Sequence, residues 1–339
     1  MNNDLTKMYN EEVDRFYRHN AIGIMVDNAM FYIISLGLSV YTILPLYLSK
    51  LTDSSFVIGL IPTIYIIGFA LPQLFIARFL KGKKRIKKYL VITAVTQRLS
   101  ILAFLILTLV QNNLSNNLTI ILFFAIFFIQ NLITGCWYPM WVSFIGRAIP
   151  RKRGMVFGMS YLIGGVMSLA GGSIIRYLLT ELPYPKAISA AALIAFIASL
   201  ISLAFIITWH EAVPPKQDKL DEFVKKESGI FHSLNQDKNF GQYLFWRGVI
   251  IGVEMSLPFL TIYALNRLSI SDSEVGIFAI ILSLSQTVMN VFWGWLGDRI
   301  GYLRIVIVAA FLGCFGVALV NFASSLIIFY LVFFITGEC

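Results

Sequence analysis

The sequence predicts an all-α membrane protein of ten helices arranged in two unequal halves, and three observations carry that prediction. First, of 339 residues 58% are hydrophobic and only 13% are charged, whereas a soluble domain carries about a quarter charged residues. Such a chain cannot cover its own core with polar surface. Second, uncharged apolar runs repeatedly reach the roughly 20 residues that a helix needs to cross a bilayer. Third, lysine and arginine collect on alternate connections, so that the helices have a defined inner and outer side.

In chain order, residues 21–49 form the first apolar stretch, interrupted only by Asp27, and 54–77 form the second. The charge-free run 99–146 is of double length, and the Asn-rich turn at 112–117 divides it into helices three and four. Residues 154–175 and 187–209 are the fifth and sixth. A polar stretch containing Pro214-Pro215 follows. The seventh helix, 241–266, contains Arg247 and Glu254, and 275–297 is the eighth. The double run 305–337 breaks at 321–325 into the ninth and tenth. The expected organisation is a six-helix half over 1–209, a linker over 210–239 and a second half over 240–339. Within the linker, Leu220, Phe223 and Val224 recur at helical spacing, which suits either a short helix lying on the membrane surface or a solvated connection.

With the N-terminus inside, Lys50, Arg176, Lys186 and Arg267 are the only basic residues placed outside. Arg98 and Arg247 fall within helices, and the rest of the 27 basic residues are inside. The formal charge of +9 is thus an orientation signal and an attraction to anionic lipid, not a nucleic-acid footprint. The start of the chain has no pattern of a removable signal peptide. His19, His210 and His232 occur singly, and Cys136, Cys314 and Cys339 sit in apolar segments. Neither a metal site nor a disulfide framework is expected, and no cofactor is called for. The sequons at Asn113 and Asn117 arise easily in an Asn-rich turn and carry little weight.

Between helices eight and nine stands Gly294-Trp-Leu-Gly-Asp298-Arg299-Ile-Gly301-Tyr-Leu-Arg304. The halves also show weak internal repetition. Leu46 to Gly59 parallels Ile262 to Gly276, each being a helix end, an outer turn offering an Asp or Ser cap, and a glycine early in the next helix. At this point the chain resembles the major facilitator superfamily, whose signature loop, Gly-x-Leu-(Ala/Gly)-Asp-Arg-x-Gly-(Arg/Lys)-x-(Arg/Lys), lies between the same two helices. Arg151-Lys-Arg153-Gly154, followed by Gly158, is similar to the family's usual approach to helix five. The corresponding first-half loop from Ala77 to Lys88 keeps its positive charge but lacks the aspartate. Gly164-Gly165 and Gly171-Gly172 are similar to the glycine-rich motif of proton-driven antiporters, without its proline and with shifted spacing. Close helix packing is the other reading of these glycines, and the one preferred here.

The resemblance implies two six-helix halves and alternating access to a central cavity. The tenth helix runs for about fourteen residues, some 21 Å, against a hydrocarbon core of about 30 Å, so the chain is read as truncated and short of two of twelve helices. Asp298, beside Arg299 and Arg304, is expected to meet the exposed N–H groups at the start of helix five near Gly154 to Val156, latching the halves on the inner side. The alternative is a turn whose charges anchor at headgroups.

Ionisable residues within the membrane are costly and mark pathways or partners. Asp27 lies about 9 Å into the first helix and Arg247 about 9 Å into the seventh, which the resemblance makes symmetry-related cavity helices. They form one candidate pair across the cavity; Asp27 with Arg98, inside one half, is the other. Glu254, two turns beyond Arg247, is the first candidate for proton exchange and Asp27 the second. Trp137 and Trp141 share one face of helix four, forming either a substrate-facing patch or an interfacial belt. Gln130 and Asn131 lie on the same helix, and Gln73, Gln286 and Asn290 are further candidates for lining a cavity.

These features point to a multi-pass protein of the plasma (inner) membrane with its N-terminus in the cytoplasm. It is expected to act as a monomer, surrounded by lipid, moving a small solute with energy from a proton or other ion gradient. No nucleotide-binding Gly-x4-Gly-Lys-Ser/Thr loop occurs, which argues against an ATP-driven pump. A non-transporting membrane protein is the alternative. A membrane-embedded enzyme is disfavoured, since three isolated histidines supply no buried acid and base cluster.

Overall fold

A computed structural model describes residues 2–80, 83–213 and 238–337, and these are helical nearly throughout. Chain order gives α1 (Asn2–Gly37), α2 (Ile43–Ser49), α3 (Ser55–Phe79), α4 (Lys87–Val110), α5 (Asn116–Ala148), α6 (Arg153–Glu181) and α7 (Lys186–Thr208) in the first half. The second half supplies α8 (Lys238–Leu268), α9 (Glu274–Ile300), α10 (Tyr302–Leu319) and α11 (Leu326–Gly337). Among the described residues nine helices are long and apolar enough to cross a membrane, and α11 is a shorter apolar helix. The chain is therefore a multi-pass membrane protein.

Helix exteriors carry large apolar side chains, such as Phe56, Phe322 and Ile327, each more than three-quarters exposed. That inversion of soluble-protein logic is the expected one where acyl chains replace water. All ends rich in lysine and arginine lie together, and this is called the basic end below.

Three differences from the sequence reading concern boundaries. The first helix begins at Asn2 and not near residue 21, because its polar first turns find partners on the basic end. Tyr9 Oη donates to the Arg147 carbonyl at 2.9 Å, and His210 Nε2 lies 2.7 Å from Glu12 Oε1. The stretch 21–49 is not one helix either. It breaks after Gly37, and α2 turns inward as a separate piece whose Tyr47 is fully buried against Phe104, Phe123 and Tyr184. Finally, of the two repeated outer turns only the first caps its helix, with Ser54 Oγ accepting from the Val57 N–H. In the second, Ser273 makes no such bond, and Asp272 pairs with Lys50 instead. The helix expected around Leu220, Phe223 and Val224 lies outside the described residues.

The paired glycines of α6 are packing devices. Side chains at Gly164 and Gly171 would collide with Tyr32 and Leu36 of α1, and at Gly165 and Gly172 with Thr287 and Ile280 of α9. Each pair thus presses one residue on its own half and one on the other, allowing backbones to approach as larger residues would not. The pattern then stops. Gly158 lies seven residues, two turns, before Gly165 and so on the same face, but meets nothing within 4 Å. The halves touch toward the end opposite the basic one and part toward it.

The apolar clusters divide in the same way. At the end away from the basic loops, Val275 and Ala279 of α9 join one core with Leu36, Tyr47, Phe104 and Phe123. At the basic end the halves keep separate cores, one around Leu90, Phe144 and Trp209 and one around Ile250, Ala309 and Ala310.

Candidate functional site

A cavity of about 480 Å³ opens between the halves, walled by α1 to α5, α7 and α9. Its polar floor is built from four helices of the first half. Ser202, less than two turns before the end of α7, donates to Asp27 Oδ1 of α1 at 2.6 Å and accepts from Arg98 Nη2 of α4 at 2.6 Å. Trp141 Nε1 of α5 donates to Asp27 Oδ2 at 3.2 Å. The remaining guanidinium groups are also engaged, Nε with the Ser199 carbonyl at 3.0 Å, and Nη1 with the Ala94 carbonyl and Gln97 Oε1 at 3.1 and 2.9 Å. Asp27 and Arg98 are each 5% exposed. A buried charge is tolerable only when hydrogen-bonded and compensated, and this arrangement satisfies both ions within one half.

Of the two partners considered for Asp27, the structure therefore brings Arg98 close, through Ser202. Arg247 is engaged elsewhere: its Nη2 lies 3.3 Å from Glu254 Oε1, two turns along α8. Asp27, Arg98, Gln130, Asn131, Trp137, Trp141 and Gln286 all line the cavity. Gln73 does not, because its side chain folds back to donate to the Phe69 carbonyl of its own helix at 2.9 Å. Asn290 is exposed one turn beyond Gln286, outside the lining. The tryptophans form no distant interfacial belt. Trp137, Trp141, Tyr138, Phe69 and Tyr65 make a continuous aromatic wall along α5 and α3, with successive centroids 5.4 to 6.2 Å apart.

Sequence reasoning missed Ser199, Ser202, Gln97 and Asn28. The serines had a signal, two small hydroxyls three residues apart on an otherwise apolar helix, hence on one face.

Away from the basic end, contacts between halves close the cavity. Lys50 Nζ lies 2.7 Å from Asp272 Oδ2, Thr261 Oγ1 donates to the Tyr41 carbonyl at 2.8 Å, and a side chain at Gly59 would strike Phe259. Arg176 Nη2 approaches Glu274 Oε1 at 4.0 Å, and Tyr330 donates to the other oxygen of Glu274 at 2.5 Å.

At the basic end the turn after α9 is set by Gly301, whose φ of +90° favours glycine and serves both as cap of α9 and start of α10. Arg299 lies over the Trp295 ring, 4.0 Å from its centroid, and Arg304 is exposed at the start of α10. The side chain of Asp298 lies outside the described residues. In the first half, a further missed residue binds the start of the helix that follows the loop lacking the aspartate. Glu211, just past α7, accepts from the Ile86 N–H at 2.8 and 3.0 Å, from the Lys87 N–H at 2.8 Å and from Arg147 at 3.0 Å. It caps α4 from 125 residues away.

A model of the major facilitator superfamily matches residues 28–337. No curated protein matches the chain. Among solved structures, a crystal structure of a mutant of the nucleoside transporter NupG is similar, with a TM-score of 0.68 at 11% identity, over 94% of this chain and 79% of that one. That likeness speaks to the fold, while the family match covers all but the ends of the chain: the protein belongs to the major facilitator superfamily.

Proposed function

We propose that the protein is a secondary transporter of the plasma membrane, with its N-terminus in the cytoplasm, that moves a small solute by alternating access using a proton gradient. One observation carries the reading, the central cavity held shut at one end by contacts between halves and parted at the basic end. Membership of a transporter family, whose members bind small molecules and usually work with ion gradients, supports it. In this reading the basic end is cytoplasmic and the conformation faces inward.

Glu254 is the first coupling residue and Asp27 the second. Glu254 is held by Arg247; a proton taken from the aqueous side neutralises the carboxylate and frees the guanidinium, changing the charge along α8. Asp298 has its part in the outward-facing state, when the basic ends of α9 and α6 approach and its carboxylate meets the first N–H groups of α6.

Reconstituted vesicles separate these claims. Counterflow of a labelled solute should be retained by Glu254→Gln, while accumulation driven by an imposed pH gradient should be lost. Accumulation by Glu254→Gln that still follows the gradient would sink the coupling assignment. Asp298→Asn should raise the reactivity of cysteines placed along the start of α6 from the cytoplasmic side, and unchanged reactivity would remove the latch.

A further inference from the structure

Resting on the transporter reading, we propose that the transported solute is a neutral, planar ring compound that carries hydrogen-bond acceptors. The cavity's charges are already committed to the protein. Its two charged residues are engaged with the protein: both oxygens of Asp27 accept hydrogen bonds, from Ser202 and Trp141, and every guanidinium nitrogen of Arg98 donates one. A charged solute would have to break this set to find a counter-ion, leaving a buried charge behind, at a cost far above the gain. A neutral solute avoids that exchange.

Two donors of the cavity wall are left over. Asn28 Nδ2 and Trp137 Nε1 are buried donors without a partner, and both residues line the cavity. An unmade hydrogen bond in such a place is expensive, about 1–3 kcal/mol, and turning either side chain toward the cavity lets an arriving acceptor recover it. Two nearby acceptors are already engaged: Gln97 Oε1 takes Arg98 and Thr134 Oγ1 takes Gln97. The two unpartnered donors are matched by a solute that brings carbonyl or ring-nitrogen acceptors.

The shape of the wall suits a flat ring. The donor on Trp137 sits at the edge of the aromatic wall formed with Trp141, Tyr138 and Phe69. A flat ring lies against such a surface by offset stacking, at centroid separations the wall's own rings already show. At about 480 Å³ the cavity is within the size range of small-molecule sites.

The test uses tryptophan fluorescence of the intact, detergent-solubilised protein and counterflow in vesicles, with three probe sets. These are neutral heteroaromatics (nicotinamide, thymine, caffeine), ring anions (nicotinate, benzoate) and non-aromatic polyols (mannitol, glucose). At least one neutral heteroaromatic should bind saturably and exchange. Trp137→Phe, which keeps the ring and removes only the donor, should weaken that probe about tenfold or more, as should Asn28→Ala, with thermal melting confirming that both fold. Exchange confined to polyols or anions, or undiminished affinity in Trp137→Phe, would overturn the substrate class and leave the transporter reading standing. Exchange of none of the three sets overturns the substrate class, and counterflow tested with further solutes then decides the transporter reading on its own.

Discussion

Lys50 Nζ sits 2.7 Å from Asp272 Oδ2, and so joins the turn after α2 to the turn before α9. The turn of one half supplies the cation and that of the other the anion. Both side chains are about one-third exposed, which puts the pair in the class worth about 0.2–1 kcal/mol. Asp272→Asn should therefore loosen the outer closure without unfolding the protein, raising the outward-open population by up to about fivefold. Labelling of a cysteine introduced at Ser39, a residue lining the cavity, from the outer side reads this directly, in a background lacking the native cysteines. A rate equal to that of the parent would show that the pair is incidental.

The interlock of α6 with α9 offers a sharper contrast. Gly172 and Gly165 are in contact with Ile280 and Thr287, but Gly158 on the same face is open. Gly165→Ala, whose new methyl would lie 2.9 Å from a Thr287 carbon, should cost about 1–3 kcal/mol and lower the melting temperature. Gly158→Ala should be neutral or stabilising by about 0.5–1 kcal/mol, since it removes a helix glycine without meeting anything. If the basic ends close during the cycle, Gly158→Leu should nonetheless slow transport while leaving melting unchanged. Equal melting losses at Gly158 and Gly165 would contradict the parted geometry.

Helix identity and order, and the grouping of the basic ends, were legible because they follow from local quantities, namely the length of uncharged runs and the position of lysine and arginine. The loop motif pointed to the family for the same reason, its glycine at 301 answering to a backbone angle. What escaped was decided by long-range partners. Nothing local to Ile86 or Lys87 says that Glu211 caps them, and nothing near Asp27 names Ser202, 175 residues away. Residues 2–20 look too polar to extend a membrane helix until Arg147 and His210 are seen beside them. Gln73 and Gln286 read alike as polar residues in apolar helices. One is spent on its own helix and the other faces the cavity, a difference set by rotation about the helix axis that composition does not encode.

The Asp27, Ser202 and Arg98 chain predicts non-additive mutations. Arg98→Met removes the cation and leaves Asp27 5% exposed with only a hydroxyl and an indole, which should destabilise by about 3–5 kcal/mol. Adding Asp27→Asn should recover a large part of that loss, since the pair then holds no uncompensated charge. Thermal unfolding of the solubilised single and double variants gives the coupling. Additive losses would mean that the two ions do not sense one another through Ser202.

Glu211 provides the last prediction. The first-half loop has no aspartate of its own, and α4 begins at Lys87 with no side-chain cap from its neighbour Ile86. Three hydrogen bonds from two N–H groups fall on one carboxylate that is also paired with Arg147, and Arg147 in turn donates to the carbonyls of Lys83 and Lys84. Removing the carboxylate strips the cap, worth about 0.5–2 kcal/mol, and leaves the half-buried Arg147 without its ion. Glu211→Ala should thus cost about 2–4 kcal/mol, more than a cap alone. Glu211→Gln, which keeps an acceptor but loses the charge, should fall between. Because the carboxylate ties the connection before α4 to the segment after α7, the loss should show first as protease cleavage in residues 80–87, before global melting. A Glu211→Ala protein whose loop resists protease as well as the parent would show that Arg147 alone holds this corner.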